Sequence, residues 1–277
     1  MSTEGYTSDL TDEEWTLLGP LIQQPYSRGR PSLWSPRQIL NAIFYVLRGG
    51  IAWRALPINF PPWQTVYYHF RRMRREGLWE DINAQLRAYY RVSIGRSPDA
   101  HAAIIDSQSV KATECRSERG FDGHKKVNGR KRHILVDTLG LLLKVIVHPA
   151  NLVDREGGKL LIDAVKGRFP ALEIVWADQG YTGKFKSWAA AQLHVDFVVV
   201  YPPWRQMRRY FPELLEQQGF DSKAFHVIPR RWVVERTFAW LGRNRRLSKD
   251  YETLRETEEM WYYLAMSRIL LQRLVSP

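Results

Sequence analysis

Three acidic residues stand where carboxylates are unusual. Asp106 closes the apolar run HAAII, Asp178 follows the run IVWA, and Glu235 lies inside a helical pattern further along the chain. Taken singly, each is readily explained as a helix cap or an ion-pair partner. Hard divalent cations such as Mg²⁺ take oxygen ligands, and two such ions can clamp the attacking and leaving oxygens of a phosphodiester. Three such acids in a basic protein are harder to explain in that way, and they are compatible with a metal site acting on phosphodiesters.

The charge of the chain agrees with a polyanionic partner. Lys and Arg number 41 against 29 Asp and Glu, which gives a net charge of +12. Such an excess favours nucleic acid through counterion release and long-range attraction, although a soluble protein can also simply be basic. The 11 tryptophans among the 277 residues suit base stacking or a Trp-rich core, and composition leaves both open.

Composition also excludes several classes of protein. The single cysteine, Cys115, cannot build a disulfide framework or an all-cysteine metal site, which fits a reducing cytosol. The acidic, polar start MSTEGYTSDLTDEEW is not a signal peptide. No apolar run approaches the roughly 18–20 residues that span a bilayer. We therefore expect a cytoplasmic protein with no membrane partner.

The elements that must position the acids begin at His101. Three consecutive strand patterns are followed by helix, strand, helix, strand and helix, which predicts a mixed five-stranded α/β sheet with helices on both faces. Asp106 is predicted to end the first strand and Asp178 the fourth, and strand ends in open α/β sheets are where sites form. Asp154 is predicted to cap the helix after the third strand.

The first ninety-odd residues read as helices. Capping boxes at Thr11 and Ser35 predict two helix starts, and WQTVYYHFRRMRREGLWEDI predicts a third helix. A helix, a turn and a helix with a basic last turn suggests DNA binding, but a solvated basic face in a small bundle fits equally well. The best linker is near residues 93–98, so we divide the chain into a small all-α DNA-binding and oligomerisation domain, 1–95, and a catalytic domain, 96–277.

Several segments closely resemble bacterial insertion-sequence DDE transposases of the insertion-sequence-five family. They are DSQSVKATE, KKVNGRKRHILVDTLGLLL, IVWADQGYTG and PRRWVVERTFAWLGRNRRLSKDYE, and in the first half LTDEEW, GRPSLWSPRQILNAIFYVLRGGIAWRALP and FPPWQTVYYHFRR. The resemblance implies a ribonuclease H-like catalytic domain in which Asp106, Asp178 and Glu235 form the DDE triad. It also implies two Mg²⁺ ions, with Mn²⁺ as an alternative.

The match departs from the family signature beside Glu235. Arg231 fits the arginine four residues before the glutamate, but Ile228 stands in place of a tyrosine and Gly242 in place of a lysine. Arg231 and Glu235 are four residues apart on one helix face. Either they form a plain ion pair, or Glu235 binds a metal and Arg231 binds an adjacent phosphate. Other basic residues could contact DNA or simply be solvated: Arg71, Arg72, Arg74, Arg75, Lys125, Lys126, Arg130, Lys131, Arg132, Arg243, Arg245 and Arg246.

The remaining conspicuous side chains have plainer interpretations. We expect His133 and His148 to be packing or surface histidines and Trp176 to be a core residue, while Trp240 stays open between core and base stacking.

The sequence therefore predicts a transposase that binds the terminal inverted repeats of its element, hydrolyses the strand at each end and joins it to target DNA. Its partners would be double-stranded element ends and target, held by a homodimer in a synaptic complex at the bacterial nucleoid. The alternatives are a non-catalytic DNA-binding regulator derived from a transposase and a nuclease of the same fold. All three triad acids are present, which favours the enzyme.

Overall fold

A computed structural model describes residues 5–22, 33–113, 118–201 and 230–276. Cys115, Ile228 and most of the charged segment that follows the last predicted strand lie outside the described residues. Within the described part, a helical region precedes one β-sheet, and two helices end the chain.

The N-terminal region consists of helices whose starts are set by local capping. Thr11 accepts a hydrogen bond from the backbone of Glu14, and Ser35 does the same for Gln38, so both predicted capping boxes are confirmed. The prediction of one long third helix is wrong, because Gly77 adopts a left-handed conformation (φ +66°) and divides it in two. The helices are α1 (Asp12–Leu18), α2 (Pro36–Gly49), α3 (Trp63–Arg75) and α4 (Leu78–Ser93).

The sheet is mixed, as predicted, but has a sixth short strand. Its strands are β1 (Ala102–Lys111), β2 (Gly120–Asp122), β3 (Val127–Asp137), β4 (Leu142–Pro149), β5 (Ile174–Ala177) and β6 (Asp196–Val199). β3 pairs antiparallel with β1, β2 and β4, while β5 runs parallel to β1 and β6 parallel to β5. Three antiparallel strands followed by two parallel ones form the ribonuclease H-like sheet that the resemblance implied, and β2 extends it.

The first strand continues beyond the predicted end at Asp106. Asp106 pairs with Ile134, and the pairing with β3 runs on until Lys111 lies opposite Gly129. Asp106 is therefore in the middle of β1. The strand's other neighbour, β5, stops much earlier, since its last partner on β1 is Ile104.

Helices cover both faces of the sheet, as predicted, and they are α5 (Asp154–Val165), α6 (Lys184–Leu193), α7 (Arg231–Gly242) and α8 (Arg255–Val275). One core contains β-strand residues with Leu161 of α5 and Phe185 of α6, and the other contains Val234 of α7 and Trp261 of α8 together with the N-terminal helices. Val153, not the predicted Asp154, occupies the N-cap position of α5, since its carbonyl oxygen accepts the hydrogen bond from the backbone of Gly157 that begins the helix.

The last helix packs into the helical region that starts the chain. The ring of Trp261 on α8 lies 5.8 Å from that of Trp53 and 4.5 Å from that of Phe70. α8 also packs against α4 and α1. The division of the chain at residue 95 stays a prediction.

Candidate active site

Strand register indicates that Asp106 on β1 lies close to Asp178, the first residue after β5. Ile104 of β1 lies opposite Trp176 of β5 in a parallel pair. Asp106 is two residues beyond Ile104, and Asp178 is two residues beyond Trp176. Residues two apart on a strand point to the same face, and neighbouring strands are about 4.8 Å apart. The two carboxylates therefore meet at the edge where β5 ends.

Electrostatics support this proximity. Burial and the negative charge of Asp178 raise the pKa of Asp106 to about 7, while a backbone hydrogen bond from Ser107 and the charges of Arg231 and Lys125 oppose the rise. A carboxylate facing another carboxylate gives up its proton reluctantly. A cation bound between the two would relieve the repulsion, so this pair fits a metal.

A tight turn after β5 fixes Asp178. Its Oδ1 accepts a hydrogen bond of 2.8 Å from the backbone of Gly180 and so caps a short turn of 3₁₀ helix, Gln179–Tyr181. A β-carbon at Gly180 would lie 3.0 Å from Asp178 Oδ1 and 3.2 Å from Asp154 Oδ2. Glycine at position 180 thus lets two carboxylates approach one point of the backbone.

Asp154 is the acid at this site that sequence reasoning missed. Its Oδ1 accepts hydrogen bonds of 2.9 Å from Ser107 Oγ and 3.0 Å from Lys131 Nζ, and these interactions outweigh burial and lower the pKa of Asp154. Burial, with the charges of Asp106, Asp154 and Asp178, holds the pKa of the Tyr181 hydroxyl well above its usual value. The one available signal was an acid at the start of a helix, which also describes an ordinary cap.

A buried histidine pair lies behind Asp154. His133 Nδ1 and His148 Nε2 are 2.8 Å apart, and both side chains are buried. Burial and the neighbouring His148 lower the pKa of His133 to about 3, so His133 is neutral at physiological pH, and burial also lowers the pKa of His148. The prediction that these histidines serve packing is confirmed, and Trp176 is likewise buried, as predicted.

Glu235, on α7, forms an ion pair with Arg231. Its Oε1 accepts a hydrogen bond of 3.2 Å from Arg231 Nη2 one turn earlier on the helix, and Arg231 also acts electrostatically on Asp106. Within the ranges that the structure describes, no three side chains among His, Cys, Asp and Glu surround one possible ion position. The two aspartates come together, whereas Glu235 is paired with Arg231 rather than joining them.

The arginines predicted on the third helix differ in their surroundings. Arg71 and Arg75 are exposed. Arg72 is 3.2 Å from Glu76, and Arg74 donates a hydrogen bond of 2.7 Å to Thr257 on α8. Within the described part of the chain, two of the four cations at the end of α3 therefore face solvent without such a partner.

The basic segment around β3 divides into exposed and buried parts. Lys125 and Lys126 are exposed, and Lys125 Nζ donates to the Ser107 carbonyl oxygen at 3.1 Å. Arg130, Lys131 and Arg132 are buried, which corrects the expectation that they contact DNA. Their charged groups are already used by internal acceptors, including Asp250 for Arg130, Asp154 for Lys131 and Glu258 for Arg132.

The arginines beyond Glu235 divide in the same way. Arg243 and Arg245 are exposed. Arg246 is buried, and its Nε donates a hydrogen bond of 2.7 Å to Glu252, so the expectation of a DNA contact by Arg246 is also corrected. Trp240, on α7, has the guanidinium groups of Arg236 and Arg273 within 4.5 Å of its ring.

Comparison with known proteins places the chain in a family. A family model for the transposase DDE domain matches residues 97–270, and one for transposases of the IS4/5 family matches residues 10–83. The chain is 32% identical over 114 residues to the uncharacterized 16.2 kDa protein of insertion element IS402 from Burkholderia cepacia, covering 37% of this chain and 73% of that protein.

Solved structures add a weaker likeness. The crystal structure of the Mos1 mariner paired end complex with Mn aligns over 95% of this chain and 84% of its own, with 11% identity and a TM-score of 0.25. A TM-score this low is no basis for comparing the two sites. In the described ranges, none of the helices is both long enough and apolar enough to cross a membrane.

Proposed function

The chain belongs to the family of transposases with a DDE domain, and on that premise we propose that it cuts DNA at the ends of its insertion sequence and joins them to target DNA. The cut would be made by hydrolysis at the terminal inverted repeats, and the freed 3′-hydroxyl would then attack a target phosphodiester. Each step exchanges one phosphodiester bond for another bond to the same phosphorus, so no oxidant or energy source is needed.

One observation carries the proposal. The parallel register of β1 and β5 sets Asp106 level with Asp178, and their repulsion contributes to a pKa of about 7 for Asp106. Two carboxylates that repel one another form a suitable site for a divalent cation. Without that cation, the same carboxylates would repel the phosphates of DNA.

The residues that would hold the metal are Asp106, Asp178 and Glu235, and we propose two Mg²⁺ ions with Mn²⁺ as an alternative. Bound Mg²⁺ activates an attacking oxygen and stabilises a leaving oxygen. Glu235 would have to exchange Arg231 for the cation, which would free that guanidinium for a neighbouring phosphate. The ion pair is only partly buried, with side chains 24% and 38% exposed, so the exchange gives up little free energy.

We further propose that the helices before β1 bind the element ends and that two copies of the chain hold both ends together. Arg71 and Arg75 support the first point, because exposed cations on one helix fit a phosphate backbone. The site of action would be the bacterial nucleoid in the cytoplasm.

A strand-transfer assay tests the proposed reaction. Labelled DNA carrying the inverted repeats that flank the coding sequence is incubated with the full chain, Mg²⁺ and a supercoiled target. We expect cleaved ends and joined products, and we expect Asp178→Asn to bind the ends but lose cleavage by roughly a thousandfold or more. The matched control is Asp163→Asn, which removes an exposed carboxylate from α5.

The other outcomes identify the alternatives. Cleavage without joined products would indicate a nuclease of the same fold. Binding without cleavage by the parent would indicate a regulator. Cleavage by Asp178→Asn at the parent's rate would refute the metal site.

A further inference from the structure

A basic pocket separate from the carboxylates lies where the N-terminal helices meet the end of α7. Its volume is about 520 Å³, and its walls come from the turn before α1, the second half of α2, the end of α7 and the last turns of α8. Neither Asp nor Glu is among the described residues that line it. Four arginines do line it: Arg48, Arg243, Arg268 and Arg273.

Only one of these four cations is neutralised within the described ranges. Arg268 forms an ion pair with Glu14. Arg48 donates a hydrogen bond of 3.0 Å to the Arg243 carbonyl oxygen, which carries no net charge. The guanidinium of Arg243 itself makes no hydrogen bond or ion pair with the residues that the structure describes. Like charges gathered in this way repel each other unless an anion joins them.

The fourth cation, Arg273, lies against a tryptophan ring. The guanidinium of Arg273 lies 4.3 Å from the centre of the Trp240 ring, and that of Arg236 lies 4.5 Å from the same ring. Burial and the charge of Arg236 lower the pKa of Arg273, and this outweighs the opposing effects of Tyr90 and Asp137. Aromatic rings attract cations, but the two arginines beside this ring still repel one another. An anion in the pocket would relieve that repulsion.

We propose that this pocket binds a phosphate of the DNA backbone close to the position that is cut. The proposal rests on the proposed function for the identity of the anion. Guanidinium groups bind phosphate oxygens through paired hydrogen bonds, and a volume of about 520 Å³ accommodates a phosphodiester with its sugar.

The place of the pocket on α7 sets the distance to the active site. Glu235 and Trp240 are five residues apart on this helix, which corresponds to about 7.5 Å along its axis and about 140° around it, so they lie on different sides of a cylinder roughly 10–12 Å across. Each DNA strand carries one phosphate per roughly 3.4 Å of duplex axis. A phosphate in the pocket therefore belongs to a nucleotide only a few positions from the cleaved bond. Since α2 lines the same pocket, DNA bound there contacts the helical region and the catalytic helix at once.

A pair of substitutions tests the pocket in the full-length protein. Arg48→Ala combined with Arg243→Ala removes two exposed cations, and the control combines Arg96→Ala with Lys166→Ala, two exposed cations outside the pocket. Binding to element-end DNA is measured in EDTA over a range of salt concentrations. We expect the test variant to bind roughly 10- to 100-fold more weakly. We also expect its slope of log affinity against log salt to fall by up to about two units.

Two results would overturn the pocket. One is an unchanged slope and affinity relative to the control pair. The other combines two observations: millimolar thymidine monophosphate raises the melting temperature of the parent but not of the variant, and the two proteins bind DNA equally well. The pocket would then be a site for free nucleotides. These measurements need no cleavage. The proposed pocket can therefore be refuted while strand transfer is observed, or supported while strand transfer is absent.

A second measurement locates the contact. Cys115 is the only cysteine, so Cys115→Ser with Arg243→Cys gives a single thiol at the pocket. DNA ends carrying an alkylating group on one chosen phosphate are offered in turn. We expect cross-links only from phosphates a few nucleotides from the cleavage site. Cross-links confined to distant phosphates would refute the proposed position.

Discussion

Replacing Asp106 with Asn should stabilise the metal-free protein while abolishing its activity. The carboxyl group of Asp106 has a pKa of about 7 in the folded chain against an ordinary value of 3.8, because it is buried and faces Asp178. Asn has nearly the same shape and no charge. The substitution therefore removes the repulsion and leaves the packing around β1 in place.

The magnitude follows from the pKa. A rise of roughly three units corresponds to about 4 kcal/mol between the charged and neutral forms. The folded state binds the proton more tightly than the unfolded state, so the free energy of unfolding of the parent falls as pH rises from about 4 to about 7. Asn does not titrate, so its advantage is near zero below pH 4 and complete above pH 7. The side chain of Asp106 keeps some contact with solvent, and we therefore expect roughly 2 kcal/mol at pH 8, with 4 as the upper bound.

The assay is urea unfolding of both proteins in EDTA at pH 5 and at pH 8. Asp122→Asn is the matched control. The hydrogen bond from Ser109 and the charge of Lys131 outweigh burial and lower the pKa of Asp122, so its substitution should destabilise the protein at pH 8 by about 1–3 kcal/mol. The reasoning would be refuted if the free energy of unfolding of Asp106→Asn differed from that of the parent by the same amount at both pH values. It would also be refuted if Asp106→Asn were less stable than the parent at pH 8.

The same proteins report on the metal. Adding Mg²⁺ at pH 8 should raise the melting temperature of the parent, because a cation that binds the folded state stabilises it. Asp106→Asn should show a much smaller rise. Equal rises in the two proteins would mean that Mg²⁺ binds somewhere other than Asp106.

Two further predictions concern DNA contacts and packing. Replacing Arg71 and Arg72 together with Ala should lower the salt slope of DNA binding by between one and two units, since Arg72 is also engaged by Glu76; a slope equal to the parent's would move recognition away from α3. Gly157→Ala would set a β-carbon 2.2 Å from His148 Nε2 and should lower the free energy of unfolding by about 1–3 kcal/mol. The control is Gly123→Ala, whose β-carbon has no atom within 4 Å and which should change the free energy of unfolding by less than about 0.5 kcal/mol. Equal unfolding midpoints for the two variants would contradict the predicted clash.

Features set by neighbouring residues could be predicted from the sequence. The capping boxes at Thr11 and Ser35 depend on residues three positions away, and both are present. Asp178 directly follows β5, as the end of its apolar run predicts. The alternation of strands and helices likewise specified a mixed sheet covered on both faces. Each of these depends on periodicity or on contacts within one turn of the chain.

Features set by distant partners could not be predicted. Nothing in the sequence near Arg132 shows that Glu258, 126 residues away, accepts its charge inside the protein. A run of basic residues looks the same whether it faces solvent or pairs internally. The apolar pattern places the end of β1 at Asp106, which is too early for a similar reason. The pairing of Asp106 with Ile134 keeps the strand extended where the apolar pattern stops. Asp154 is visible as a member of the carboxylate cluster only once the turn at Gly180 has been built.

The packing of Trp261 against Trp53 and Phe70 also determines when the helical region can complete its core during synthesis. The helices before β1 leave the ribosome first, but part of the core that covers them, including Leu270 and Leu271, comes from the end of the chain. At about 5–20 residues per second, translation from residue 95 to residue 271 takes roughly 10–35 s. Throughout that interval Trp53 and Phe70 lack their partner. A nonsense mutation ahead of α8 would therefore leave the helical region without part of its core, even though every residue of that region had been translated.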